Sequence, residues 1–149
     1  MIKRSLVLRI KRARVVLDTN VYISAMVFGG TPRRIVDLAR AGQVETYISA
    51  PILLEVAEKL QNKFGWQVGR VEKAVKAIAR LAKVVKPEVN YKVVKADADD
   101  NKIIECAAAV KADWVVTGDK HLLDLKKWGK VKMVKPKDFW VKLQAGGDR

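Results

Sequence analysis

Acidic side chains stand at the ends of apolar segments in this sequence. Asp18 closes the run "RVVLD", and Asp119 closes "WVVTGD". Asp100 lies in the acidic start "DADDNK" of a helical pattern, and Glu55 lies in the first turns of another helix. Oxygen ligands without His or Cys suit a hard ion such as Mg²⁺ or Mn²⁺. If the four acids converge, they could support metal-assisted attack on a phosphodiester bond.

The alternatives for these acids are structural. Converging carboxylates repel each other, so protons or a cation must compensate their charge. Asp100 shares a helix face with Ile103, Ile104 and Ala107, which predicts that it points towards a sheet, although a capping carboxylate would also fit. Spacing alone does not decide between Glu55 and Glu58 on their helix.

The elements that must position these acids alternate between strand and helix, which predicts a parallel α/β sheet with helices on both faces. In such sheets, ligands bind beyond the carboxyl ends of the strands, where Asp18 and Asp119 stand. Thr31 is predicted to cap the second helix, with Pro32 in its first turn. The predicted strands are "ARVVLD", "VETYIS", "KVVKPEVNYKVV", "DWVVTGD" and "KVKMVK". The predicted helices are "NVYISAMVF", the segment after Thr31, the segment after Pro51, "VGRVEKAVKAIARL", "DADDNKIIECAAAVKA", "HLLDL" and "PKDFWVKL".

Composition indicates one basic globular domain. The chain has 149 residues, and its 30 Lys and Arg against 16 Asp and Glu give a formal charge of +14, which favours a polyanionic partner. No apolar run approaches the roughly 20 residues that span a bilayer. Cys106 is the only cysteine and His121 the only histidine, so neither a disulfide within the chain nor a Cys- or His-rich metal site is possible. We therefore expect a cytoplasmic protein without a membrane segment.

Three stretches of the sequence resemble the PIN-domain family, specifically the VapC-like ribonucleases that act as toxins of toxin–antitoxin pairs. They are "VVLDTNVYISAMVFGGTPRRIVDLARAG", "ISAPILLEVAEKL" and "DADDNKIIECAAAVKADWVVTGDKHLL". The resemblance implies a PIN-like three-layer α/β/α fold around a central parallel sheet of four or five strands. It also implies a Mg²⁺- or Mn²⁺-dependent endoribonuclease with acids around the metal.

The resemblance also implies roles for individual residues. The catalytic and metal-binding acids would be Asp18, Glu55, Asp100 and Asp119, which selects Glu55 over Glu58. Asn20 and Thr117 match positions that orient the acids or a metal-bound water, and local capping is the alternative for both.

Three basic residues are further candidates by their position in the sequence. Arg33, Arg34 and Lys120 stand at helix starts near the expected site and are candidate contacts for RNA phosphates, with a solvated surface as the alternative.

These observations lead to one functional hypothesis and one alternative. We expect a basic extension over residues 1–13, a PIN domain over 14–143 and a frayed tail over 144–149. The expected function is metal-dependent hydrolysis of RNA by a toxin that forms a homodimer and binds a small antitoxin protein. The alternative is a basic α/β module that binds RNA or an antitoxin without catalysis. A P-loop and a dinucleotide-binding site are excluded because the glycine patterns that they require are absent from the sequence.

Overall fold

A computed structural model describes residues 13–87 and 98–147, with side chains described for 13–87 and 101–145. The basic extension up to residue 12 and the second half of the extended segment "KVVKPEVNYKVV" lie outside the described residues. The described strands are β1 (Arg14–Leu17), β2 (Glu45–Ser49), β3 (Ala82–Val85), β4 (Trp114–Val116), β5 (Lys127–Trp128) and β6 (Val131–Val134). The described helices are α1 (Thr19–Val27), α2 (Gly30–Arg40), α3 (Ala50–Asn62), α4 (Val68–Leu81), α5 (Ala98–Val110), α6 (Lys120–Leu125) and α7 (Pro136–Gly147).

The sheet is mixed and has the strand order β3-β2-β1-β4-β6-β5. Five strands pair in parallel, and the two-residue strand β5 pairs antiparallel with β6. The prediction of four or five parallel strands therefore missed β5. Two residues cannot display a periodic pattern, and the short hairpin that returns into β6 depends on Gly129 at φ +60°.

Apart from their first residues, the central strands are buried, as continuous apolar runs in a parallel sheet require. Val15, Val16 and Leu17 of β1 have no exposed surface. On α5, Ile103 and Ile104 are almost completely buried, and this helix packs across β1, β2, β3 and β4. Because β1 lies in the middle of the sheet, its carboxyl end is surrounded by the ends of β2 and β4.

Two helix boundaries differ from the predictions. Helix α2 begins at Gly30 rather than after Thr31, because Gly29 adopts φ +82° and takes the capping position. Helix α7 continues to Gly147, so residues 144–147 are helical and do not form a tail. Gln144 and Ala145 favour a helix, and α7 ends at the second of the two glycines that follow them.

Within residues 13–87 and 98–147, no helix is both long enough and apolar enough to cross a membrane.

Candidate active site

Asp18 stands where the most central strand passes into α1. Its backbone N–H donates to the carbonyl of Val116 over 2.9 Å, which extends the pairing of β1 with β4 by one residue. The Asp18 side chain makes no capping hydrogen bond to α1 and instead accepts a hydrogen bond from Thr117 Oγ1 over 2.8 Å. Capping of α1 therefore does not explain the carboxylate at this strand end.

Thr117 connects two of the predicted acids through one hydroxyl group. Its side chain is fully buried, donates to Asp18 Oδ2 and accepts from the backbone N–H of Asp119 over 2.9 Å. The backbone N–H of Thr117 is bound to the carbonyl of Val134 in β6, so its position is set by the sheet. This residue orients both Asp18 and the loop that carries Asp119.

The electrostatic environment of Asp18 favours its protonated form. Burial raises the pKa of the Asp18 carboxyl above its ordinary value, and the charges of Asp119 and Glu55 raise the pKa further. The hydrogen bond from Thr117 acts in the opposite direction and lowers the pKa, and the nearby backbone N–H of Thr19 has the same effect. Glu55 and Asp119, from two other parts of the chain, are thus near enough to raise the pKa of Asp18.

Glu55 is the buried acid of α3. It is 7% exposed, whereas Glu58 is an exposed residue on the same helix, so burial favours Glu55 as the site residue. Two ammonium groups compensate its charge: Lys59 Nζ lies 3.6 Å from Oε1, and Lys102 Nζ lies 3.6 Å from Oε2.

Lys59 also reaches the other predicted supporting residue, because its Nζ donates to Asn20 Oδ1 over 3.2 Å. Asn20 thereby contacts the lysine that is paired with Glu55. Neither Lys59 nor Lys102 was predicted from the sequence. For Lys59 a signal was present, since an acid followed by a lysine four residues later often pairs on a helix. For Lys102 there was none, because its partner lies on a different helix.

Asp100 lies in the first turn of α5, three and four residues before the buried Ile103 and Ile104. Its side chain is outside the part of the chain that the structure describes. The ion pair between Lys102 and Glu55 brings this turn beside α3. The backbone therefore places the turn that carries Asp100 beside Glu55.

Asp119 already has a structural role, since it is the N-cap of α6. Its Oδ1 accepts from the backbone N–H groups of His121 over 2.7 Å and Leu122 over 3.4 Å. One carboxylate oxygen is engaged in this way, and Oδ2 is the oxygen that a cation would use. The same residue can therefore cap the helix and take part in metal binding.

Substitutions of Asp119 are expected to separate these two roles. Asp119→Asn should melt within a few degrees of the wild type, because Asn caps helices as well as Asp does, but should bind Mn²⁺ more weakly. Asp119→Ala should in addition lose about 1 kcal/mol of unfolding free energy. Denaturant unfolding and Mn²⁺ titration of both variants measure the two effects. If both variants bind Mn²⁺ almost as tightly as the wild type does, Asp119 serves only as a cap.

The three basic candidates do not form one group. Arg33 donates to Asp37 on its own helix over 3.3 Å, whereas the guanidinium of Arg34 lies 5.9 Å from the centre of the Trp140 ring. Lys120 is exposed and directly follows Asp119. The neighbouring Arg33 and Arg34 thus lie on different sides of α2, and Lys120 alone is next to a predicted acid in the sequence.

The acids suggest a hard divalent cation, and the side chains around them differ in how well they could bind one. Among the side chains of residues 13–87 and 101–145, no group of three His, Cys, Asp or Glu is placed to hold a metal ion. The available atoms are nevertheless oxygens, which a hard cation prefers: the Asp18 carboxyl is buried, and Glu55 Oε2 is buried, accepts no hydrogen bond from the described residues and faces Lys102 Nζ at 3.6 Å. These are oxygens that a cation would satisfy.

Comparison with protein families decides what kind of domain this is. A family model described as "PIN domain" matches residues 14–121, which include Asp18, Glu55, Asp100 and Asp119. The chain belongs to the PIN-domain family. PIN domains are generally nucleases, and PIN nucleases typically use divalent metals. The family prediction and the three-layer α/β/α fold are therefore confirmed.

Two individual proteins are similar to this PIN domain. An uncharacterized protein of Methanocaldococcus jannaschii is 33% identical over 141 residues, covering 86% of this chain and 90% of that protein. The crystal structure of VapBC2 from Rickettsia felis, bound to a DNA fragment from its promoter, superposes with a TM-score of 0.61. That match covers 82% of this chain and 98% of the other at 14% sequence identity, so it concerns the fold.

Proposed function

We propose that this PIN domain is a Mg²⁺- or Mn²⁺-dependent endoribonuclease that acts in the cytoplasm. The observation that carries the proposal is the Asp18 carboxyl. It is buried at the carboxyl end of the central strand, is oriented by Thr117, and has its pKa raised by burial and by the charges of Asp119 and Glu55. A buried carboxyl in that environment favours either a proton or a cation, and the second option provides hydrolytic chemistry.

Each residue of the site has a role in this proposal. Asp18, Glu55, Asp100 and Asp119 hold the divalent ion, directly or through water. When bound, such an ion polarises a phosphoryl oxygen and lowers the pKa of a water molecule. Thr117 keeps the Asp18 carboxylate in its rotamer through their hydrogen bond. Lys59 and Lys102 balance the charge of Glu55, and Asn20 positions Lys59.

RNA is the proposed substrate because the protein surface is strongly basic. A formal charge of +14 attracts a polyanion and raises its concentration near the site. Lys120 follows Asp119 and is exposed, so it is the proposed phosphate contact nearest to the acids. Arg33 and Arg34 are exposed and extend the basic surface along α2.

We further propose that the protein is the toxin of a toxin–antitoxin pair, forms a homodimer and binds a small antitoxin protein. The sequence motifs that resemble VapC-like ribonucleases and the fold match to the VapBC2 complex support this proposal. Expression of the protein in a bacterial host should arrest growth, and co-expression of the proposed antitoxin should relieve the arrest.

The alternative function is a non-catalytic module that binds RNA or an antitoxin. It is favoured by one observation: Glu55 is neutralised by two lysines, and Asp119 caps a helix, so both acids have structural partners. In that case the acids would stabilise the fold and the basic surface would bind the ligand.

Metal removal separates the two functions. Purified protein is incubated with single-stranded RNA in EDTA, and then with excess Mn²⁺ or Mg²⁺. We expect cleavage to stop in EDTA and to return with Mn²⁺. The cleavage activity should elute together with the protein during size-exclusion chromatography. Calorimetric titration should give saturable Mn²⁺ binding to the wild type and at least about tenfold weaker binding to Asp100→Asn. Retention of RNA without any metal-dependent cleavage would favour the binding module.

A further inference from the structure

A strongly charged concavity lies between α1, α2 and α4. This groove, which we call the α1–α2–α4 groove, has a volume of about 260 Å³. Its floor is formed by small and apolar residues, and four cationic side chains and one indole line it. The apolar residues are Ala25, Met26, Val36 and Ala74, the cations are Arg33, Arg40, Arg70 and Lys73, and the indole is Trp66.

Two of the cations are held in place by one carboxylate. Arg33 Nε lies 3.3 Å and Arg40 Nη1 lies 2.7 Å from Asp37 Oδ1, at spacings of four and three residues along α2. Asp37 does not line the groove, and it can neutralise only one of the two guanidinium charges. One net positive charge therefore remains on the pair for a phosphate, and the paired side chains have less entropy to lose when they bind it.

On the opposite wall, Arg70 is fixed by an aromatic ring. Its guanidinium carbon lies 3.7 Å from the centre of the Trp66 ring, which is stacking distance. Stacking leaves the N–H edges of a guanidinium free to donate in the ring plane. Lys73, one turn further along α4, is exposed on the same groove. The groove thus presents donors from two helices that face each other.

Helix α1 connects this groove to the acids. Asn20, at the start of α1, contacts the lysine that is paired with Glu55, and Met26, near its end, lines the groove. At the helical rise of roughly 1.5 Å per residue, these two positions are about 9 Å apart along the axis. A strand of RNA seated among the acids can reach the groove within a short segment, since single-strand sites typically span about 4–16 nucleotides.

We propose that the α1–α2–α4 groove binds the phosphate backbone of single-stranded RNA on one side of the cleaved bond. This inference rests on the proposed ribonuclease function and adds a second contact region to it. The groove carries an excess of positive charge, so its occupant is a polyanion. RNA is preferred over an acidic peptide because the same helix leads to the acids.

The test compares a groove variant with a variant of equal charge. Arg70→Gln/Lys73→Gln removes two exposed groove cations. Lys127→Gln/Lys130→Gln removes two exposed lysines, one in the outer strand β5 and one in the turn after it. Binding of a fluorescent 12-nucleotide RNA is measured in EDTA, where no cleavage occurs. The groove variant should bind about tenfold more weakly than the wild type, with a smaller dependence on salt, and the control should change by less than about twofold.

Cleavage kinetics provide a second measurement. In Mn²⁺ the groove variant should show a raised KM for the 12-nucleotide RNA with unchanged kcat, and no change for a dinucleotide substrate. Equal weakening by the groove and control variants would overturn the proposal, because overall charge would then explain binding. Displacement of the RNA by polyglutamate at equal charge concentration would also overturn it, in favour of an acidic peptide.

The two proposals can fail separately. Groove-dependent RNA binding without cleavage by the wild type would support the groove and overturn the ribonuclease. Metal-dependent cleavage with the same kinetics in the wild type and the groove variant would support the ribonuclease and overturn the groove.

Discussion

Asp18→Asn is expected to lower kcat for metal-dependent RNA cleavage by about a thousandfold or more. The substitution keeps the size of the side chain and an oxygen that can accept the hydrogen bond from Thr117, but it removes the charge that attracts the cation. RNA binding in EDTA should stay within about twofold of the wild type, because phosphates contact the basic surface. The measurement is single-turnover cleavage in saturating Mn²⁺.

The melting behaviour of Asp18→Asn gives an independent control. Because the pKa of Asp18 is raised in the folded protein, the folded state binds more protons than the unfolded state in the range above the ordinary Asp pKa of about 3.9. The unfolding free energy of the metal-free wild type therefore falls as pH rises through that range and up to the higher folded-state pKa. The variant lacks this dependence, so its melting temperature relative to the wild type should increase from pH 4 to pH 7 in EDTA. A pH-independent difference would contradict the electrostatic account of Asp18.

Glu55→Gln is the second substitution with a large expected effect, a loss of roughly a hundredfold in Mn²⁺-dependent kcat/KM. Glu55 is buried, and its oxygens face the ammonium groups of Lys59 and Lys102. A neutral amide leaves those two positive charges without their counter-charge in a partly buried region. The metal-free variant should therefore also melt at a lower temperature, and this loss should diminish in high salt, where repulsion between the lysines is screened.

The matched control for this prediction is Glu58→Gln, which removes the same charge three residues later on the same helix. Glu58 is exposed, so its substitution should leave both kinetics and melting close to the wild type. Activity is measured with a single-stranded RNA in Mn²⁺, and stability by thermal denaturation in EDTA at two salt concentrations. Equal activities for the two variants would show that Glu55 is not part of the site.

The sequence alone was sufficient for much of the fold. Long periodic segments determine their own secondary structure, and α4 begins and ends where its pattern predicts. Asp18 was expected at the end of a buried strand, because a charged side chain does not fit inside the apolar run of a parallel strand that is buried on both faces. The short strand β5 was missed because pairing with β6, rather than any pattern in its two residues, makes it a strand.

Within the site, the sequence determined that Asp18 and Asp119 follow the carboxyl ends of β1 and β4, since the apolar runs before them fix the strands. Tertiary packing decided the partners of those acids. Lys102 meets Glu55 only because α5 packs beside α3, and Thr117 meets Asp18 only because β4 pairs with β1. Spacing along one helix is set by its period, whereas a contact between elements depends on how they pack.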